Sequence, residues 1–360
     1  MFVIIKALDI KKVYIFGELV YLFGVEPLSI MKALPINMTN ASTELSERDL
    51  IRKPKARSLW SKWGITLFLM ALPTIVYVFV FHYLPLEGLI ISFKNYNSFQ
   101  GIWGSPWTEM GGFQHFYTFV TAPNFWTLIK NTLVLSVLSI VFNSTLPILY
   151  ALFLNEVRFK WDKKTVQIIM YAPYFISTVV LVGILFVLFR ADTGSITKML
   201  MAFGFDGASA MSNPKAFVAI YIISGLWQGL GWWSIVYMGS LANVDPNLHD
   251  AAKIDGAGRL RRIFSVNFPS IVPLAVIMLI MSIGNILNVG FEKVYLMYTP
   301  GNSVASEIIS TYVYRISFPD YDLPQFSYAT AIGLFNSIIN IIILVKANFV
   351  SKKVSDNSLW

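Results

Sequence analysis

A chain of 360 residues that is 56% hydrophobic and only 13% charged excludes a soluble fold, which would need a core larger than such a chain builds. The net charge of +8 would suit nucleic acid, but the Lys and Arg residues cluster in particular loops, as membrane topology requires, so lipid rather than nucleic acid is the expected environment. The absence of cysteine removes disulfides, thiolate metal sites and cysteine nucleophiles, and His82, His115 and His249 lie too far apart to suggest a metal site.

The first stretch, Met1–Phe23, is apolar but interrupted by Lys6, Asp9, Lys11, Lys12 and Glu18. It makes a poor signal peptide. It reads either as an amphipathic surface segment or as the product of a start codon placed upstream of Met38. Six apolar runs of membrane-spanning length follow: Ile65–Leu86, Leu128–Leu154, Val166–Phe189, Phe217–Leu241, Ile271–Phe291 and Tyr328–Val345. The expected fold is an all-α membrane protein, with residues 1–62 a cytoplasmic or interfacial segment, 63–353 the transmembrane domain and 354–360 a cytoplasmic tail.

Basic residues set the orientation. They concentrate before span one (Arg52, Lys53, Lys55, Arg57, Lys62), after span two (Arg158, Lys160, Lys163, Lys164), after span four (Lys253, Arg259, Arg261, Arg262) and after span six (Lys346, Lys352, Lys353). The remaining loops carry fewer, so both termini are expected in the cytoplasm. Between spans one and two, and between five and six, the outer loops are long and rich in aromatics. Such loops suit a surface that meets an extracytoplasmic partner.

Along span four, Trp227 lies about ten residues deep, roughly 15 Å from its start. That is too deep for an interfacial belt, so it either packs against helices or lines a path. Trp232, Trp233 and Tyr237 are nearer the cytoplasmic half, in a packing or interfacial role.

The cytoplasmic loop after span four is the most informative segment. Asp245 and Pro246 form a helix start, a side-chain cap followed by proline at the first helical position, and Gly256 supplies a stop. The helix between them is about ten residues long, too short and too polar to cross a bilayer. Ala251 and Ala252 permit close approach by another protein, with Asp250 and Asp255 flanking them. A Gly256-Ala257-Gly258 turn and the basic run Arg259, Arg261, Arg262 follow.

Span five is expected to present Met281, Asn285, Asn288 and Glu292 on one helical face, turned toward protein or a water-filled passage rather than lipid. These amides either bond between helices or touch cargo. Asn336 and Asn340 in span six pose the same choice.

The loop resembles the EAA loop of type I ABC importer permeases: Asp250-Ala251-Ala252, then Asp255-Gly256-Ala257, then Phe264 and Pro269 occupy its pattern, with Asp250 where Glu is usual. The outer segment Gly111–Phe116, Asn124–Trp126 and Asn131-Thr132 is similar to that of carbohydrate-uptake permeases, nearest the LplB-like branch and more distantly the maltose permeases. The likeness spans about Trp63 to Lys353. It implies a MetI-like bundle of six transmembrane helices in a bacterial cell membrane, paired with a second permease, a paralogue, and served by two cytoplasmic ATPase subunits and an extracytoplasmic solute-binding protein. It implies that the short helix, through Asp250, Ala251, Ala252, Asp255, Gly256 and Ala257, couples the spans to the ATPases. It implies a sugar cargo, an oligosaccharide or polysaccharide fragment, passing near Trp227, Asn285, Asn288, Glu292 and Asn336. This chain has no G-x-x-x-x-G-K-[ST] loop, so ATP and Mg are expected on the partner ATPase and no cofactor here.

Competing readings are weaker. A secondary transporter would place ionisable residues at span centres, a channel would need a filter or charge ring, and a membrane enzyme would need clustered His, Asp or Glu. The sequence shows none of these.

Overall fold

The computed structural model describes residues 62–157, 159–204, 210–288, 290–320 and 322–354. The N-terminal segment before Lys62, with Met38 and its basic residues, and the tail from 355 lie outside the described residues. The chain divides at Val78 into two compact units. Of the first, the described part is the helix Lys62–Val78. The second begins at Phe79.

Among the described residues the protein is helical, apart from one isolated antiparallel bridge between Lys94 and Trp107. Five helices have the length and composition of membrane spans: Ile65–Phe93, Phe125–Asn155, Pro214–Ala242, Arg259–Gly284 and Phe326–Lys353. A sixth is a bent pair, Trp161–Phe175 and Thr178–Leu188, meeting at 96°. Many of their side chains face outward as large exposed hydrophobics, the pattern of helices whose surroundings are lipid or other membrane chains.

The bend corrects the expectation of one continuous third span from Val166 to Phe189. Pro173 has no amide hydrogen to continue the ladder, and Ala172–Phe175 tightens into a 3₁₀ turn. Ser177 restarts the helix by accepting a hydrogen bond from the Val180 amide. Span four holds the broken backbone in place. Gln228 Nε2 donates to the freed carbonyl of Ile176 at 2.7 Å, and Trp232 stacks on Tyr174 with centroids 4.4 Å apart. Gly231 lets the two backbones approach, because a Cβ there would stand 2.5 Å from the Met170 carbonyl carbon and 2.7 Å from Tyr171 Cδ1.

Two buried clusters flank the interior. One joins span two (Leu135), the bent pair (Leu181, Leu185) and span four (Phe217, Ile220, Tyr221) to Val294 and Met297 of the segment between spans five and six. The other joins Ala151 and Leu152, near the end of span two, to Tyr237, Leu241, Ile263 and Ile271.

Near the start of span two, Asn131 and Thr132 fasten the segment that precedes span six. Asn131 Nδ2 donates to Val304 O at 2.8 Å and Glu307 O at 2.9 Å, while Thr132 Oγ1 accepts from the Ile309 amide at 3.1 Å. Asn302, fully buried, donates to Met211 O and Met297 O and accepts from the Thr299 amide and the Ser306 hydroxyl. In a low-dielectric setting such a satisfied network is rigid.

Candidate functional site

Two features stand out, a polar cavity between the spans and an exposed helix beyond their ends. The cavity, about 410 Å³, is lined by Ser136, Ser139 and Asn143 of span two, Tyr221 and Trp233 of span four, and Ser282 of span five, and it reaches Asn285, Asn288 and Gly290. Its polar groups are hydroxyls and amides, the side chains that exchange hydrogen bonds with sugar hydroxyls, and Trp233 adds an aromatic face.

Span five ends at Gly284, which corrects the expected helical face of Met281, Asn285, Asn288 and Glu292. A Cβ at Gly284 would sit 2.6 Å from Leu344 Cδ1 of span six, and Asn285 caps the helix by donating from Nδ2 to Met281 O at 3.1 Å. The turn that follows is held from elsewhere. Asn340 Oδ1 accepts from the Leu287 amide at 3.2 Å, Ser136 donates to Ile286 O, and Asn336 Nδ2 donates to Asn288 Oδ1 at 2.9 Å. Asn285 and Asn288 therefore reach the cavity from a non-helical turn. Glu292 is exposed in the first turn of a separate helix, Phe291–Met297.

The exposed helix runs Pro246–Ile254 and buries none of its residues. Asp245 accepts from the Asn247 amide at 2.9 Å and Pro246 occupies the first turn. At the other end Gly256 takes φ +74°. The Gly256 amide bonds to Lys253 O and the Ala257 amide to Ala252 O, a Schellman stop. Asp250 pairs with Lys253 at 2.7 Å, and that hydrogen bond holds the Asp250 carboxyl below its usual pKa. Leu248, Ile254, Leu260 and Phe264 are all more than half exposed, an apolar surface that a polar loop keeps only for a purpose.

This loop is tied back to two spans. Glu156, at the end of span two, hydrogen-bonds Asn267 Nδ2 at 3.3 Å and lies 3.9 Å from the Arg262 guanidinium. Asn267 is fully buried in the π-helical turn Ile263–Asn267 that opens span five.

The geometry agrees with the family match: residues 144–356, from mid span two through span six, match the family described as binding-protein-dependent transport system inner membrane component. The chain belongs to this family. The permease is 40% identical over 82% of its length to the polygalacturonan/rhamnogalacturonan transport system permease YteP of Bacillus subtilis, covering 90% of that protein. It is 38% identical over 83% of its length to LplB of the same organism, covering 91% of that chain. Among solved structures it superposes on a chain of a bacterial ABC transporter that imports the acidic polysaccharide alginate, with TM-score 0.74 and 37% identity over 82% of this chain and 97% of that one. The same transporter, in complex with a periplasmic protein bound to alginate pentasaccharide, gives TM-score 0.74, 36% identity and coverage of 83% and 98%. The permease is thus a multi-pass membrane protein of the MetI-like fold and a transport component rather than an enzyme.

Of the path residues expected from the sequence, Asn285 and Asn288 line the cavity and Asn336 braces Asn288. Trp227, 48% exposed, and Glu292 are not among the lining residues. Ser136, Ser139 and Asn143 are lining residues that the sequence did not single out, and Trp233, expected in a packing or interfacial role, also lines the cavity. Their signal was present, since Ser136, Ser139 and Asn143 follow an i, i+3, i+7 spacing along one face.

Proposed function

We propose that the permease forms, with a companion permease, the translocation path of an ATP-driven importer for an oligosaccharide released from a polysaccharide. An extracytoplasmic binding protein would deliver the sugar to the outer loops. Two cytoplasmic ATPase subunits, carrying ATP and Mg, would grip the Pro246–Ile254 helix. The companion is read as a paralogue on the family resemblance, and both termini as cytoplasmic on the distribution of Lys and Arg.

One observation carries this reading. The exposed helix runs directly into span five, whose first turns are joined to the end of span two through Glu156, Arg262 and Asn267, and those same spans supply Ser136, Ser139, Asn143 and Ser282 to the cavity. A push on the helix is thereby delivered to the cavity walls. Ala251 and Ala252 leave room for the ATPase surface, and the apolar side chains beside them supply contact area. The hydroxyl and amide lining favours a neutral-polar solute over an ion, and the relatives' named cargoes support a carbohydrate.

Replacing both Ala251 and Ala252 by Trp tests the reading. The ATPase subunits should no longer co-purify with the permease pair, and sugar uptake into vesicles should stop. Undiminished uptake and assembly would refute the coupling role. Uptake in vesicles stripped of ATPase, driven by a proton gradient alone, would instead establish a secondary transporter.

A further inference from the structure

Behind the cavity wall lies a buried ammonium group. Lys293 projects from the helix Phe291–Met297 and is 9% exposed. Its Nζ donates to Tyr221 O at 2.9 Å and stands 4.8 Å from the centre of the Tyr221 ring. Span four makes room for it, since a Cβ on Gly225 would come within 3.2 Å of the Nζ. Among the described residues no carboxylate lies within 4.0 Å to form an ion pair with it. Tyr221 is seven residues into span four, roughly 10 Å along the helix. Burial of a cation without a counter-charge is costly, and it pushes the Lys293 pKa down to about 8. The group is still mostly protonated at neutral pH.

Tyr221 also lines the cavity, as does Gly290, so the ammonium stands one aromatic ring behind the wall. None of the lining residues is charged. Glu292, next in sequence to Lys293, is exposed, where water and salt screen it. Lys293 is not screened in this way. Backbone acceptance and a π face satisfy its hydrogen bonding without cancelling its charge. Lys293 accordingly contributes a positive potential to the cavity.

We infer that the permease selects an anionic cargo, an oligosaccharide bearing uronate-type carboxylates, and that Lys293 is the specificity-determining charge. The inference rests on the reading of the cavity as the sugar path. A carboxylate about 10 Å from a buried cation, at an effective dielectric constant near 20, gains the equivalent of about tenfold in affinity. Fastening of the Phe291–Met297 helix to span four is the plain structural role, and it would serve all cargoes alike.

The test uses the complete complex, with companion permease, ATPases and binding protein, in proteoliposomes. The probes are a galacturonate trisaccharide and its fully methyl-esterified, neutral counterpart. Comparing variant with wild type for each sugar cancels the binding protein's own selectivity. Lys293→Met should raise the half-saturating concentration of the acid about tenfold and leave the ester unchanged, while Lys293→Arg keeps the preference. An equal loss for both sugars reduces Lys293 to a fastening and overturns the proposal, as does no change for either. Should Lys293→Met fail to assemble, Lys293→Gln is read against the same two sugars. A wild type that carries only the ester refutes the anionic cargo and leaves oligosaccharide import standing. A wild type that carries neither removes the oligosaccharide reading as well.

Discussion

Substituting Gly231 by alanine probes the bend of the third span most directly. The added methyl would lie 2.5 Å from the Met170 carbonyl carbon and 2.7 Å from Tyr171 Cδ1, and the Met170 obstacle is backbone that cannot rotate away. Overpacking of this kind costs about 1–3 kcal/mol. Gly239, two turns further along the same helix, has nothing within 4 Å of the corresponding position. There alanine should be neutral or stabilising by up to ~1 kcal/mol through helix propensity. The two variants should therefore differ by about 1–4 kcal/mol, which in a chain of a few hundred residues is a gap of about 2–16 °C in thermal midpoint. Intrinsic tryptophan fluorescence of the detergent-solubilised complex during heating would report it, since Trp232 stacks on Tyr174 at the bend. Gly231→Ala should also slow uptake, because separating the two spans breaks the Gln228–Ile176 hydrogen bond. If both variants melt together and transport alike, close backbone approach is not what holds the bend.

Asn302→Ala leaves the Met211 and Met297 carbonyls without their shared donor and should cost about 2–4 kcal/mol, seen as earlier protease cleavage of the outer segment before span six. His115 bonds the Lys94 carbonyl at 3.2 Å, and burial holds its pKa below the ordinary 6.5. Because the folded pKa is depressed, its stabilising contribution is complete above pH 6.5 and declines as pH falls from there toward the folded value. Thermal midpoints measured from pH 7.5 to 5 should show that decline, flattened in His115→Gln. Glu156→Gln retains a hydrogen-bond acceptor for Asn267 but loses the charge facing Arg262. It should lower stability by no more than about 1 kcal/mol yet raise the ATP hydrolysed per sugar imported, measured by parallel phosphate-release and uptake assays.

Local signals were legible without coordinates. The apolar runs announce their spans because the bilayer demands internally satisfied backbone over a set length. The Pro246–Ile254 helix is equally readable, since Asp245, Pro246 and Gly256 act on backbone groups within a few residues of themselves. Its exposure was not readable, nor was the Glu156 tether on the start of span five that follows it, because Glu156 and Asn267 are 111 residues apart.

What the sequence determined by itself is the class of molecule, the order of its apolar runs and the short polar helix between the fourth and fifth. Tertiary structure alone decided where helices stop being straight and which polar groups meet. Pro173 permits a break, but Gln228, Gly231 and Trp232 of another span hold its geometry. Periodicity would carry span five past Asn285, yet packing against Leu344 and capture of the Leu287 amide by Asn340 end it at Gly284. Lys293 looks like any loop lysine until Tyr221 and Gly225 enclose it. The physical reason is common to all three: caps and hydrophobic runs act along the chain, whereas close backbone approach and burial of charge exist only after distant segments have packed.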